Sequence, residues 1–396
     1  MGHGKKPILN PTVSVVPNVI STNGQQYNRQ NPKTLISFSI KQHLEEQQRE
    51  KAMSIIAGSY ERFIWGFKLK PTKHDPDTHT LTLSPLFSYP SHLSSITTVA
   101  CSGPAAASGG SDDTIHLYDL PSASSLGSLL DHNHAASITA LSFYTPSSLS
   151  FPRNLISAAA DGSVAIFDTD PFVLLKSFRP HKKAVNDLSI HPSGKLALAV
   201  YRDECFAMLN LVRGKRSFCC RLGHEASLVK FDPSGERFFM VVNSKVGVHQ
   251  SEDAKLLLEL DNGSRKPILC ASPGDSGTLF TAGEDRAITA WDTNSGKLAY
   301  AIQDAHPARI KGVVTLTRND SESASEDPYL VASASSDGII RVWDMRMAAK
   351  ENAKPLAETN TKSRLTCLAG SALKSMRRPQ IGNQKAQQLE EGANSA

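Results

Sequence analysis

The chain has 396 residues, 43 Lys plus Arg against 38 Asp plus Glu, a net charge of +5, and 40% hydrophobic residues. That hydrophobic share supports a real core and excludes wholesale disorder, and no stretch reaches the roughly 18 uncharged apolar residues of a membrane helix. Six Cys are too few for a disulfide scaffold: Cys101, Cys205, Cys270 and Cys367 sit in apolar or small-residue company, and Cys219-Cys220 has no second pair at zinc spacing, as expected of reduced thiols in an intracellular protein.

Residues 1–52 read as an N-terminal extension. Pro7, Pro11 and Pro17 interrupt any secretory apolar run, and Lys6 stands where a myristoylation motif after Gly2 needs Ser or Thr. Residues 1–35 are rich in Pro, Asn and Gln without periodicity, while 39–52 suit a short helix with Ser39 and Gln42 as a capping box.

From Met53 the chain repeats itself. An Asp, or a residue in its place, precedes an aromatic or apolar anchor by six positions: Tyr60 before Gly66, Asp112 before Tyr118, Asp161 before Phe167, Asp203 before Leu209, Asn243 before His249, Asp285 before Trp291, and Asp337 before Trp343. The anchors are 52, 49, 42, 40, 42 and 52 residues apart. A four-stranded WD-type blade needs roughly 40–45 residues, and four to eight blades close a ring. The spacing therefore predicts an all-β, seven-bladed WD40 β-propeller over 53–369. The longer intervals hold loop-like inserts at 70–79, 145–153 and 319–328, the last an acidic, hydroxyl-rich solubilising loop in which Ser323 has an acidic residue three positions on.

Ring closure is also legible. The first copy lacks an innermost strand. After the last copy, KPLAETNT supplies an outer strand, and Arg364-LTCLAG resembles the inner strands ITALSF and VNDLSI. Strand 364–369 is expected to complete blade 1 and remove the free edge. Residues 370–396 are polar and read as a disordered tail.

The repeat carries a polar network. The Asp accepts hydrogen bonds in the tight turn, a His from the preceding connection bridges it to a hydroxyl four residues before the Asp, and an indole N–H completes the set. His306, Ser333, Asp337 and Trp343 form the full set in blade 7. Ser108, Ser157 and Thr281 supply hydroxyls beside Asp112, Asp161 and Asp285 with Trp291. His181 faces Asp203 but with Ala199 at the hydroxyl position. His224, and His132 or His134, fill the entering position elsewhere, and His92 is a weaker candidate for blade 2.

No catalytic or cofactor signature accompanies this frame. There is no Gly-rich phosphate loop, HExxH, CxxC or GxSxG, and the Ser–His–Asp set of blade 7 has a structural register. The chain is expected to be no enzyme and to bind no cofactor, metal, membrane or small-molecule substrate. Charge is more informative. The connections between blades and the turns after the second strands share one rim, which carries Arg179, His181, Lys182, Lys183, Arg202, Lys245, Arg265, Lys266, Arg286, Arg309 and Lys311, interspersed with Asp131, Glu204, Glu225, Asp261 and Asp304. This rim is the candidate surface for RNA phosphates or acidic protein segments. Arg213, Lys215 and Arg216, with Lys68, Lys70 and Lys73, belong to the opposite rim.

At AGSYERFIWGFKL (57–69), with Tyr60-Glu61-Arg62 and Gly66-Phe67, the chain resembles the WD-repeat family of p21-activated-kinase-interacting proteins and their fungal counterparts, nucleolar assembly factors of the large ribosomal subunit. The closing strand Arg364-LTCLAG and the degenerate fourth and fifth blades share in the resemblance, which covers 53–369. It implies a non-catalytic scaffold in the nucleus and nucleolus. Such a scaffold would bind precursor large-subunit particles through their proteins, with ribosomal RNA as a further contact, and support pre-rRNA processing. A second reading from the same family is negative regulation of a p21-activated kinase. A third is a ubiquitin-ligase substrate receptor, because Trp343-Asp344-Met345-Arg346 resembles a WDxR box.

Overall fold

A computed structural model describes residues 53–71, 81–129, 134–274, 277–316, 330–347 and 353–372. The expected helix at 39–52, His132, Lys73, the acidic insert and the tail beyond residue 372 lie outside the described residues. Within them the chain forms seven four-stranded antiparallel sheets. The helical content among them is one 3-10 turn, Met345–Met347, and no helix is long and apolar enough to cross a membrane.

The sheets are the blades of a propeller, with strands a to d running from the central channel outward. All seven predicted anchors fall on strand c. Blade 2, for example, runs Ile96–Ser102, Ala105–Gly110, Ile115–Asp119, Ser124–Leu129. Burial peaks at strand b and falls toward the outer strand. Strand b of blades 2 and 7 is buried at every residue, whereas the outer strand of blade 4, Lys215–Arg221, is largely exposed. A strand covered on both faces needs no alternation, and strand b is accordingly a run of small and apolar residues such as Ala105-Ala106-Ala107. The cores lie between neighbouring blades. Phe280, Val331 and Trp343 pack together between blades 6 and 7, and Ile56, Ile96 and Tyr118 between blades 1 and 2.

Blade 1 closes the ring as the sequence predicts. Its order is Leu365–Ala372, Met53–Ser59, Ile64–Pro71, Leu81–Tyr89. The closing strand is longer than 364–369, because pairing runs to Met53 opposite Ala372, and Ser371 Oγ donates to the Gly103 carbonyl at 3.2 Å. The propeller thus reaches residue 372, and three residues assigned to the tail belong to the ring.

Six of the seven innermost strands carry a β-bulge near the rim, which leaves residues 97, 139, 186, 269, 311 and 366 without a cross-strand partner. A bulge re-aims its side chain. Here three of these side chains latch one blade to the next. Thr366 Oγ1 donates to the Ile96 carbonyl at 2.6 Å, Thr97 Oγ1 to the Ile138 carbonyl, and Asn186 Nδ2 to the Ala226 carbonyl at 2.9 Å. In five blades the residue after the turn Asp is left-handed: Asp113, Gly162, Glu204, Arg286 and Gly338 all have positive φ. At Gly338 a Cβ would also stand 2.7 Å from the Ser363 carbonyl oxygen, so both backbone conformation and space favour glycine.

Candidate functional site

The rim is built on the polar network, so the network comes first. Its most complete form is in blade 2. The Tyr118 hydroxyl lies 3.0 Å from Ser108 Oγ, Ser108 Oγ 2.8 Å from His92 Nε2, and His92 Nδ1 3.0 Å from Asp112 Oδ1. An ionised carboxylate only accepts, so it sets the proton on His92 Nδ1, and Ser108 donates to Nε2. Burial favours the protonated Asp112. Hydrogen bonds from His92, the Leu93 N–H and Thr114 outweigh that and hold its carboxyl at about 2. Burial lowers the His92 imidazole despite Asp112, so the ring is neutral. His92, the weaker sequence candidate, is therefore a full member.

Blade 7 corrects the expectation of a complete set there. Ser333 Oγ lies 2.7 Å from His306 Nε2 and accepts from the Trp343 indole N–H at 2.9 Å, but His306 Nδ1 and Asp337 Oδ2 have no hydrogen-bond partner. The reason lies two residues after the Asp. In blade 2 Thr114 Oγ1 bridges His92 Nδ1 (3.0 Å) and Asp112 (2.8 Å), and in blade 3 Ser163 bridges His134 Nδ1 (2.6 Å) and Asp161. Blade 7 has Ile339 at that position, which supplies no hydroxyl; Asp337 accepts the Ile339 N–H at 3.0 Å instead. This Asp-x-Ser/Thr signal was visible in the sequence as Asp112-x-Thr114 and Asp161-x-Ser163, and a four-position reading of the repeat passes over it.

The other blades keep fragments. His134 is an entering residue of blade 3, with Nε2 2.7 Å from Ser157 Oγ. In blade 6 Trp291 donates to Thr281 at 2.9 Å, and Asn262 approaches Asp285 at 3.4 Å where a His stands elsewhere. His224 does not enter blade 5. It is exposed, and the blade is held instead by rings such as Phe238 on His249 at 5.0 Å. The Ser333 and His306 side chains are wholly buried, so the blade 7 triad offers no access to a substrate.

The network holds each turn against the connection entering the same blade. Backbone bonds repeat the tie: Ser111 N–H to the Ser95 carbonyl, Ala160 to Ser137, Arg202 to Ala184, Glu284 to Pro267, Ser336 to Arg309, and Tyr60 to Arg364. These pairs build the rim. The structure divides its predicted cations into two groups. Arg179, Lys182, Lys183 and Arg202 of blade 4, with Arg265 and Lys266 before blade 6, are exposed and make no ion pair among the described residues. Arg309 and Lys311 are half-buried, and Arg309 lies 3.7 Å from Glu284. Burial, then Arg309, lowers the Lys311 ammonium, which occupies a bulge position of the innermost strand. Two nearby cations are not free: Arg286 pairs with Asp304 at 2.7 Å and Lys245 with Glu259 at 2.6 Å.

The rim also holds residues that sequence reasoning did not place there. Arg364 lies over the Tyr60 ring at 5.5 Å, its N–H donates to Glu61 at 2.9 Å, and its charge reaches Lys311. Tyr60, Glu61, Arg62, Ser94 and Ser95 line a surface pocket of about 410 Å³ at this closure seam. Arg62 has a φ of 75°, the left-handed region. The signal was the pairing of the Tyr60-Glu61-Arg62 turn with the strand beginning at Arg364.

Comparison with known proteins agrees with this architecture. The sequence profile of the WD domain, G-beta repeat, matches residues 83–119, 172–206 and 304–344. The chain is 31% identical over 317 residues to a p21-activated protein kinase-interacting protein 1-like of Danio rerio, covering 80% of each chain. It is 33% identical over 318 residues to the protein of the same name from Gallus gallus, again covering 80% of each. It is 28% identical over 222 residues to Protein MAK11 of Saccharomyces cerevisiae, covering 52% of this chain and 53% of that one.

Proposed function

The chain belongs to the p21-activated protein kinase-interacting protein family of WD-repeat proteins, and from that premise we propose that it is a non-catalytic scaffold for assembly of the large ribosomal subunit in the nucleolus. The observation that carries this reading is the blade 4 rim, where Arg179, Lys182, Lys183 and Arg202 stand exposed without carboxylate partners among the described residues. A rigid ring holding an exposed cationic patch free of ion pairs among the described residues suits a particle rich in phosphate and acidic protein segments. The first-blade phrase at 57–69 and the likeness to yeast MAK11 support the same reading.

The test is sedimentation of the tagged full chain with precursor particles at low salt. Comigration with large-subunit precursors and a fall in mature large subunits on depletion are expected. Reversing Lys182 and Lys183 to Glu should release the protein from particles while the ring stays folded. Protein that remains at the top of a low-salt gradient would defeat the reading. The vertebrate relatives' names favour a second reading, binding to a p21-activated kinase. A pull-down with the kinase regulatory region tests it, and no capture at micromolar concentration rejects it.

A further inference from the structure

Blade 4 departs from the network in a way that has a chemistry of its own. Ala199 and Leu209 replace the hydroxyl and the indole, so His181 and Asp203 are left without the partners their counterparts have. His181 Nε2 and Asp203 Oδ2 stand 3.6 Å apart. That is too far for a hydrogen bond. It is close to the roughly 3.3–3.6 Å separating two donors that sit about 2.0–2.2 Å from one tetrahedral zinc. The residue two after the Asp, which bridges His and Asp through a hydroxyl in blades 2 and 3, is Cys205. Cys219 reaches the same place from the outer strand. Cys205 pairs with Arg221 and Ala207 with Cys219, so residues 205 and 219 are diagonal neighbours on one face of the sheet.

The donor atoms of His181, Cys205 and Cys219 all lie within 4.8 Å of one another. Two buried polar atoms beside them, Asp203 Oδ1 and the Tyr201 hydroxyl, have no hydrogen-bond partner. We propose that His181, Cys205 and Cys219 bind one divalent cation of the zinc class, and that the Asp203 carboxylate turns in to complete the set. Two thiolates and an imidazole select such a soft-tolerant ion over magnesium or calcium, and four protein donors leave no open position, as in structural sites. Binding releases two protons, one from each thiol, to solvent. His181 binds through Nε2 with its proton on Nδ1, so the 3.2 Å contact from the Lys183 N–H to Nδ1 passes to water. The ion ties the exposed outer strand Lys215–Arg221 to the rim turn and the entering connection, whereas the hydrogen bonds of blades 2 and 3 join the turn to the entering connection and the inner strands.

The experiment uses the full chain, reduced and stripped of metal, then equilibrated with zinc or cobalt. One zinc per chain should survive gel filtration, and cobalt should give thiolate charge-transfer and tetrahedral visible bands. Cys205→Ser and Cys219→Ser should each weaken affinity by more than the ~10–100-fold that loss of an outer-shell partner costs. Cys220→Ser is the control, since Cys220 packs on the opposite face among Val200, Phe206 and Val229, and it should bind like the parent chain. A reduced parent chain that retains no zinc overturns the proposal, as does an octahedral cobalt spectrum without thiolate bands. Equal loss in Cys220→Ser, or a Cys205–Cys219 disulfide in thiol-blocked isolates, also overturns it. If a serine variant misfolds, the cobalt spectrum of the parent chain decides alone.

Discussion

Lowering the pH from 7 to 5 should cost this protein about 2 kcal/mol through His306 alone. Burial, then the Arg341 charge, depresses the His306 imidazole to about 4. In the unfolded chain an imidazole titrates near ~6.5. Between those values the unfolded chain binds a proton that the folded one refuses. The stabilisation is therefore fully present above the unfolded value and is lost as the pH falls toward the folded one. Proton linkage over that interval gives a loss of about 2 kcal/mol at pH 5 against a few tenths at pH 7. His92, lowered by burial, acts in the same direction. Asp112, held at about 2, contributes stability above the ordinary carboxylate range and loses it only below pH ~4, so it does not blur the comparison. Urea unfolding at both pH values, on the parent chain and on His306→Gln, is the assay. The variant starts less stable, but its own loss between pH 7 and 5 should be smaller by about 2 kcal/mol. An equal loss in both proteins would refute the argument that this buried ring stays neutral.

Ser333→Ala removes the acceptor of the Trp343 indole and the hydroxyl partner of His306, leaving both buried, and should cost about 1–3 kcal/mol of unfolding free energy in urea. Truncation after Lys362 removes the closing strand and should abolish cooperative thermal unfolding, whereas truncation after Ala372 should leave the melting temperature unchanged. Thr366→Val deletes the latch to Ile96 at the closure seam and should lower stability by about 1 kcal/mol. Gly338→Ala should cost more than ~1 kcal/mol, since φ is +90° and the Ser363 oxygen crowds the new methyl. The Lys182→Glu, Lys183→Glu pair should move stability by no more than about 0.5 kcal/mol, because both side chains are exposed.

The local code of the repeat was legible without coordinates. The six-residue step from Asp to anchor, the hydroxyl four residues before the Asp, and the likeness of Arg364-LTCLAG to other inner strands were enough for the blade count and for closure, because strand period and turn chemistry are short-range properties. Pairings between distant segments were not legible. That His92 completes blade 2, that His224 stays outside blade 5, and that Arg286 and Lys245 are neutralised by Asp304 and Glu259 depend on where separate connections end in space. The latches made by Thr97, Asn186 and Thr366 likewise join residues of separate blades. Alternation and spacing thus determined seven sheets and their order. Only the closed tertiary structure decided which imidazoles lose their water, which cations lack an ion pair among the described residues, and that Cys205 and Cys219 meet His181, because burial and charge balance arise where residues far apart in the chain converge.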